Sequence, residues 1–168
     1  VCCHQQGRRG FTLIELVVVL FILALTVATV GFSTGLFGAR DAFESKIQKF
    51  YQILRLLHEE TLFSHRTAGV MFSRGQICFL NKTQISPESR VLTWKARQDI
   101  PCMHFSETEA DNMVLKREDH VLALPQTPPE IPQIILMPGG SISPFAFVLG
   151  HYSVVGQYSG DIVLTTVP

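Results

Sequence analysis

No residue from Leu16 to Ala39 is ionisable. Charged residues make up only 17% of the 168-residue chain, against about a quarter in an ordinary soluble domain. Lysine and arginine are also missing from Pro125 to Pro168, where the acids are Glu130 and Asp161 alone. The fourteen basic and fourteen acidic residues cancel, which removes any global pull toward nucleic acid or anionic lipid. From Arg40 onward there are twelve basic and thirteen acidic residues, a net charge of −1. Phosphate binding needs a basic surface, so no nucleic-acid partner is expected. A local patch of Arg90, Lys95 and Arg97 around Trp94 reads better as a solvated strand face.

The usual catalytic patterns are missing as well. His58-Glu59-Glu60 opens like a metalloprotease helix, but Leu62 stands where the second histidine must reach the same metal. His65 could share a helix face with His58, yet no third ligand is evident, so both read as surface or packed helix residues. The one Gly-x-Ser-x-Gly spacing, Gly31-Phe32-Ser33-Thr34-Gly35, falls inside the uncharged run and not on a strand-to-helix turn, so it is no nucleophile elbow. Cysteine is scarce: Cys2, Cys3, Cys78 and Cys102. Cys78 and Cys102 lack an adjacent base to make a reactive thiolate. They could form a bridge in an exported domain, although sequence does not give their separation. No enzyme, metal or cofactor is expected.

What is present begins with the uncharged run. It is long enough to cross a bilayer, which takes about 20 apolar residues. Between Leu16 and Val30 only Thr26 and Thr29 are polar, and both hydroxyls can bond back to helix carbonyls. Arg8 and Arg9 precede the run and Glu15 heads it. Positive charge on that side keeps the N-terminus in the cytoplasm and sends the remainder across.

The sequence Arg8-Arg9-Gly10-Phe11-Thr12-Leu13-Ile14-Glu15-Leu16 resembles the processing signal of the type IV pilins and type II secretion pseudopilins at every position. The resemblance implies cleavage between Gly10 and Phe11 by a prepilin peptidase, followed by N-methylation of Phe11; Cys2 and Cys3 would leave with the leader. Gly10 suits a narrow protease cleft because its backbone carries no side chain. Glu15 is costly at bilayer depth, about 2.5–3.5 kcal/mol on insertion scales. The ammonium of Phe11, its own or a neighbouring subunit's, would compensate it, and the resemblance implies that this pairing sets register in assembly.

Beyond the run, Phe43, Ile47, Phe50, Leu54, Leu57 and Thr61 recur at alternating steps of four and three, one stripe of an amphipathic helix. A single long helix from about Phe11 to about Phe63 is expected. Gly31, Gly35 and Gly38 interrupt it, which fits a bend, a close helix approach, or a break between a membrane helix and a separate soluble one. Short β-rich runs follow at Ala68–Ser73 and Gln76–Leu80 around an Arg74-Gly75 turn, then at Val91–Trp94, Val121–Leu124, Gln133–Met137, Phe145–Leu149, Ser153–Val155 and Asp161–Thr166. Ser106–Asp119 reads as a surface loop or short helix, and Pro125–Pro132 as an extended connector.

The expected architecture is α+β: a long N-terminal helix, half membrane and half amphipathic, packed on a C-terminal antiparallel β domain. The expected divisions are a leader over 1–10, a transmembrane and assembly helix over 11–38, an amphipathic helix over 39–65 and a periplasmic β domain over 66–168. Ile134–Pro144 and Gly160-Asp161-Ile162 look like the closing strands of the H-type minor pseudopilins (GspH/FimT-like), and His58–Val70 is similar to their helix exit and first strand. The resemblance implies a single-pass inner-membrane protein and a structural subunit of the type II secretion pseudopilus, near its tip. Its implied partners are other minor and major pseudopilins, the prepilin peptidase and the inner-membrane assembly platform. The alternative is a FimT-like minor pilin of a type IV pilus, serving pilus assembly or DNA uptake.

Overall fold

A computed structural model describes the backbone of residues 13–33, 38–84, 91–118 and 120–167, and the side chains of 13–23, 42–84, 91–118 and 120–167. The chain divides into two compact units, one ending at Ala39 and one starting at Arg40. The first contains α1, Leu13–Ser33, 21 residues long. Helix α2 covers Gly38–Ser64. The continuity expected through the glycines falls on 34–37, outside the described residues, as does Gly35; Gly31 lies within α1.

In the second unit the predicted stripe is the buried one. Ile47, Phe50, Leu54 and Leu57 are fully buried and Thr61 nearly so, while Phe43 packs at the margin. Thr61 is tolerated there because its hydroxyl donates to the His58 carbonyl, 2.8 Å away. His65 stops the helix with φ +52°, a left-handed residue of the kind that caps helix C-termini.

The stripe lies on two antiparallel sheets. The first sheet takes β1 (Ala68–Ser73), β2 (Gln76–Gln84), β3 (Leu92–Ala96), β4 (Met103–His104) and β7 (Ile134–Leu136), in the order β3-β2-β1-β7 with β4 also paired to β2. The second takes β5 (Met113–Arg117), β6 (His120–Leu122), β8 (Phe145–Leu149), β9 (Tyr152–Gly156) and β10 (Ile162–Thr166), in the order β10-β9-β8-β5-β6. The architecture is therefore α+β, a helix on antiparallel sheets. Phe50 joins the layers: its ring lies 5.8 Å from Phe72 on β1 and 5.0 Å from Phe147 on β8, both edge-on. That geometry favours aromatic pairs beyond simple burial.

The segment expected as loop or short helix, Ser106–Asp119, holds more than that. Helix α3 (Glu107–Asp111) starts at a capping box, in which Ser106 and Glu109 satisfy each other's backbone N–H. Strand β5 follows and sits inside the second sheet, between β8 and β6. The proline-rich connector forms no strand. It ends at Gln133, whose amide accepts from the Phe72 N–H and donates to the Phe72 carbonyl, both at 2.8 Å, so a side chain continues the ladder along β1. Gly69 lets the connector close over the sheet: a Cβ there would stand 2.6 Å from Pro132 and 2.9 Å from Trp94.

Candidate functional site

Gly10 and Phe11 lie outside the described residues. Glu15 lies in the first turn of α1, where a carboxylate complements the positive end of the helix dipole. The side chains around it are apolar and exposed, from Leu13 at 84% to Leu23 at 54%. Consecutive positions point in every direction around a helix, so this segment presents apolar surface all round rather than one stripe. Among the described residues no helix is long and apolar enough to cross a membrane. The side chains described in α1 stop at Leu23, partway along the uncharged run.

In the β domain, Cys78 on β2 and Cys102 just before β4 form a disulfide, with Cα atoms 4.4 Å apart. It closes a loop across a sequence separation of 24 residues, worth about 3 kcal/mol in the chain-entropy account. That loop carries β3 and Arg97. The Arg97 guanidinium is buried and donates to Glu60 Oε2 at 2.6 Å, to Asp99, and to Asn81 at 3.3 Å. The hydrogen bond to Asp99 raises the Arg97 pKa further and holds the Asp99 carboxyl below its usual range. Arg97 is thus committed to fastening the loop to α2 and is withdrawn from any basic patch. Arg90 lies outside the described residues, Lys95 is exposed, and Lys82 sits 5.6 Å over the Trp94 ring.

A second fastening, which the sequence reading lacked, joins α2 to α3. Lys46 Nζ meets Glu109 Oε2 at 2.6 Å, donates to the His104 carbonyl at 3.1 Å, and stands 5.0 Å from the Phe105 ring centre. Burial alone would raise the Glu109 pKa; hydrogen bonds from Lys46 and from the Ser106 backbone and hydroxyl outweigh it and hold the carboxyl below its ordinary value. The Ser-x-x-Glu spacing of the capping box was the available signal. His58 Nε2 donates to the Gly140 carbonyl at 2.7 Å and pins the turn after β7 to α2. His65 caps the same helix. Neither arrangement is a ligand set, and each histidine has a structural task.

Residues 5–31 match the prokaryotic N-terminal methylation motif. With the helix-on-sheets architecture, the chain is type IV pilin-like in motif and in fold. Among the solved structures it resembles are two of the minor pseudopilin EpsH from the type II secretion system of Vibrio cholerae. The first has a TM-score of 0.63 at 19% identity and covers 78% of this chain and 98% of that one. The second has a TM-score of 0.56 at 18% identity and covers 75% and 96%. At such identities the likeness is one of fold. No protein of curated function matches the chain by sequence.

Proposed function

We propose that this chain is a minor pseudopilin of a type II secretion system, a structural subunit and not an enzyme. The observation that carries the reading is a conjunction: a methylation motif over residues 5–31 heads an uncharged helical run, and the remainder folds like a minor pseudopilin. A prepilin peptidase cuts between Gly10 and Phe11 and methylates the new amine. The apolar segment, over 11–38, holds the subunit in the inner membrane, N-terminus in the cytoplasm. The amphipathic helix over 39–65 and the β domain over 66–168 lie in the periplasm.

Assembly is then mechanical. Apolar side chains leave lipid for the flanks of neighbouring helices as the assembly platform adds subunits. Glu15 pairs with the Phe11 ammonium, which offsets the cost of a carboxylate at that depth and fixes the axial register. The partners are other minor and major pseudopilins, and the position is at or near the pseudopilus tip, where it supports protein export.

Mass spectrometry of the protein extracted from membranes tests the first step. The expected terminus is N-methylated Phe11. An intact leader, or an end at another residue, overturns the reading.

A further inference from the structure

We infer that the free edge of β10 is a docking site for an extended strand of another protein, rich in β-branched residues and flanked by lysine or arginine. The inference rests on the second unit alone, α2 and the sheets together, and is independent of how the N-terminal helix is processed.

The backbone pattern identifies the open edge. In an antiparallel ladder, alternate residues exchange their hydrogen bonds with the partner strand. Val167 N–H donates to the His151 carbonyl at 2.7 Å, and the Asp161 carbonyl accepts from Gln157 N–H at 2.9 Å. The odd-numbered residues of β10 therefore face β9. Ile162, Leu164 and Thr166 turn their N–H and C=O groups the other way, where no further strand lies among the described residues. A row of such groups is a template for another strand.

The other sheet margins are defended. β6, β7 and β4 have three residues or fewer. β3 carries Lys95, with Lys82 opposite its Trp94. Short edges and lysines are the means by which proteins prevent unwanted pairing. β10 has five residues, Ile-Val-Leu-Thr-Thr, with neither charge nor proline. Beside it runs a groove of about 490 Å³ between the strand and α2, lined by Glu44, Gln48, Tyr152, Leu164, Thr165 and Thr166. Strand addition beside a helix, with backbone bonds giving affinity and a groove for alternate side chains, is an established recognition mode.

Charge chooses the occupant. Glu44, which accepts from the Tyr152 hydroxyl at 2.9 Å, stands by the Thr165–Thr166 end, and exposed Asp161 immediately precedes the strand. No lysine or arginine lines the groove, and neither occurs from Pro125 onward; exposed His151, next to Tyr152, is the imidazole at that end of the strand. An incoming strand with a cation at each end meets an acid at each end. A second copy does not fit: antiparallel pairing of two β10 strands about Leu164 brings Asp161 of one beside Glu44 of the other, and like charges across a strand pair are destabilising.

The test uses the full chain in a non-ionic detergent and three short fluorescent peptides of alternating valine and threonine. One is ended by lysines, one by glutamates, and one is the lysine peptide with alternate backbone amides N-methylated. The lysine peptide is expected to bind about tenfold more tightly than the glutamate one, the effect of two partly exposed ion pairs. N-methylation is expected to abolish binding. Glu44→Gln with Asp161→Asn is expected to bring the two unmethylated peptides within about twofold without lowering the melting temperature of the β domain. Equal affinities in the native chain, undiminished binding of the methylated peptide, absence of binding by all three, or self-association of the protein through β10 would each overturn the inference.

Discussion

The two units spend their apolar residues in opposite ways. In α1 the described side chains from Leu16 to Leu23 are apolar on every side and all exposed. In α2 one apolar stripe is buried, while Leu56, Leu62 and Phe63 on other faces stay exposed. An amphipathic helix completes its packing within its own domain. A helix that is apolar all round needs lipid or other helices to cover it. The boundary between the units, at Ala39 and Arg40, falls where ionisable residues return to the sequence.

The sharpest way to break this comparison is to change one unit and look for an effect in the other. Glu15→Ala removes the single ionisable group between Phe11 and Ala39. It is expected to leave cleavage, insertion and β-domain melting unchanged but to eliminate most of the co-assembly with pseudopilin partners, measured by cross-linking and pull-down from membranes. Co-assembly at the native level would remove Glu15 from the mechanism.

The converse change lies in the stripe. Phe50 contacts aromatic rings from both sheets, so Phe50→Ala opens a cavity where three layers meet. A loss of about 3–5 kcal/mol is expected, read from urea denaturation of the β domain, with Phe11 still processed normally. A loss below about 1 kcal/mol would mean that the layers repack without it, and the junction would not be the centre of the core.

Legibility followed the same division. The α2 stripe was readable because a 3.6-residue period is a local signal that burial enforces. The Arg74-Gly75 hairpin was readable because the turn requires positive φ, and Gly75 has φ +78°. Strand β5 was missed for a physical reason. It offers only Met113 and Leu115 to the core, ends in Lys116 and Arg117, and pairs with β8, whose register partners are some thirty residues away. No local window contains that pairing. The Cys78–Cys102 separation was equally unreadable, since it depends on how β2 and the segment before β4 fold against each other. Gln133 standing in for a strand residue leaves no pattern at all. The N-terminal motif is the opposite case: Gly10 and Phe11 are outside the described residues, and their reading rests on sequence chemistry.

The smallest expected effect is a pH response within the second unit. Glu109 has its folded pKa lowered by Lys46 and Ser106 against the opposing effect of burial. A group whose folded pKa is depressed contributes stability above its unfolded value, about 4.3, and loses that contribution as pH falls through the folded value. Lys46 is partly exposed, so solvent screening limits the clip to about 1 kcal/mol or less. The urea midpoint of the β domain is therefore expected to fall as pH drops from about 6 to about 3, with a shallower fall in Glu109→Gln, which cannot titrate there. Exposed Asp99, also lowered by its arginine, adds to the same slope and remains in that variant. Lys46→Met is also expected to change the slope, but not by the same amount, because Glu109 still titrates there and keeps its hydrogen bonds from Ser106. If Glu109→Gln retained the full native acid slope, the link between α2 and α3 would be a contact without electrostatic consequence, and the acid response would belong to Asp99 and the remaining carboxylates.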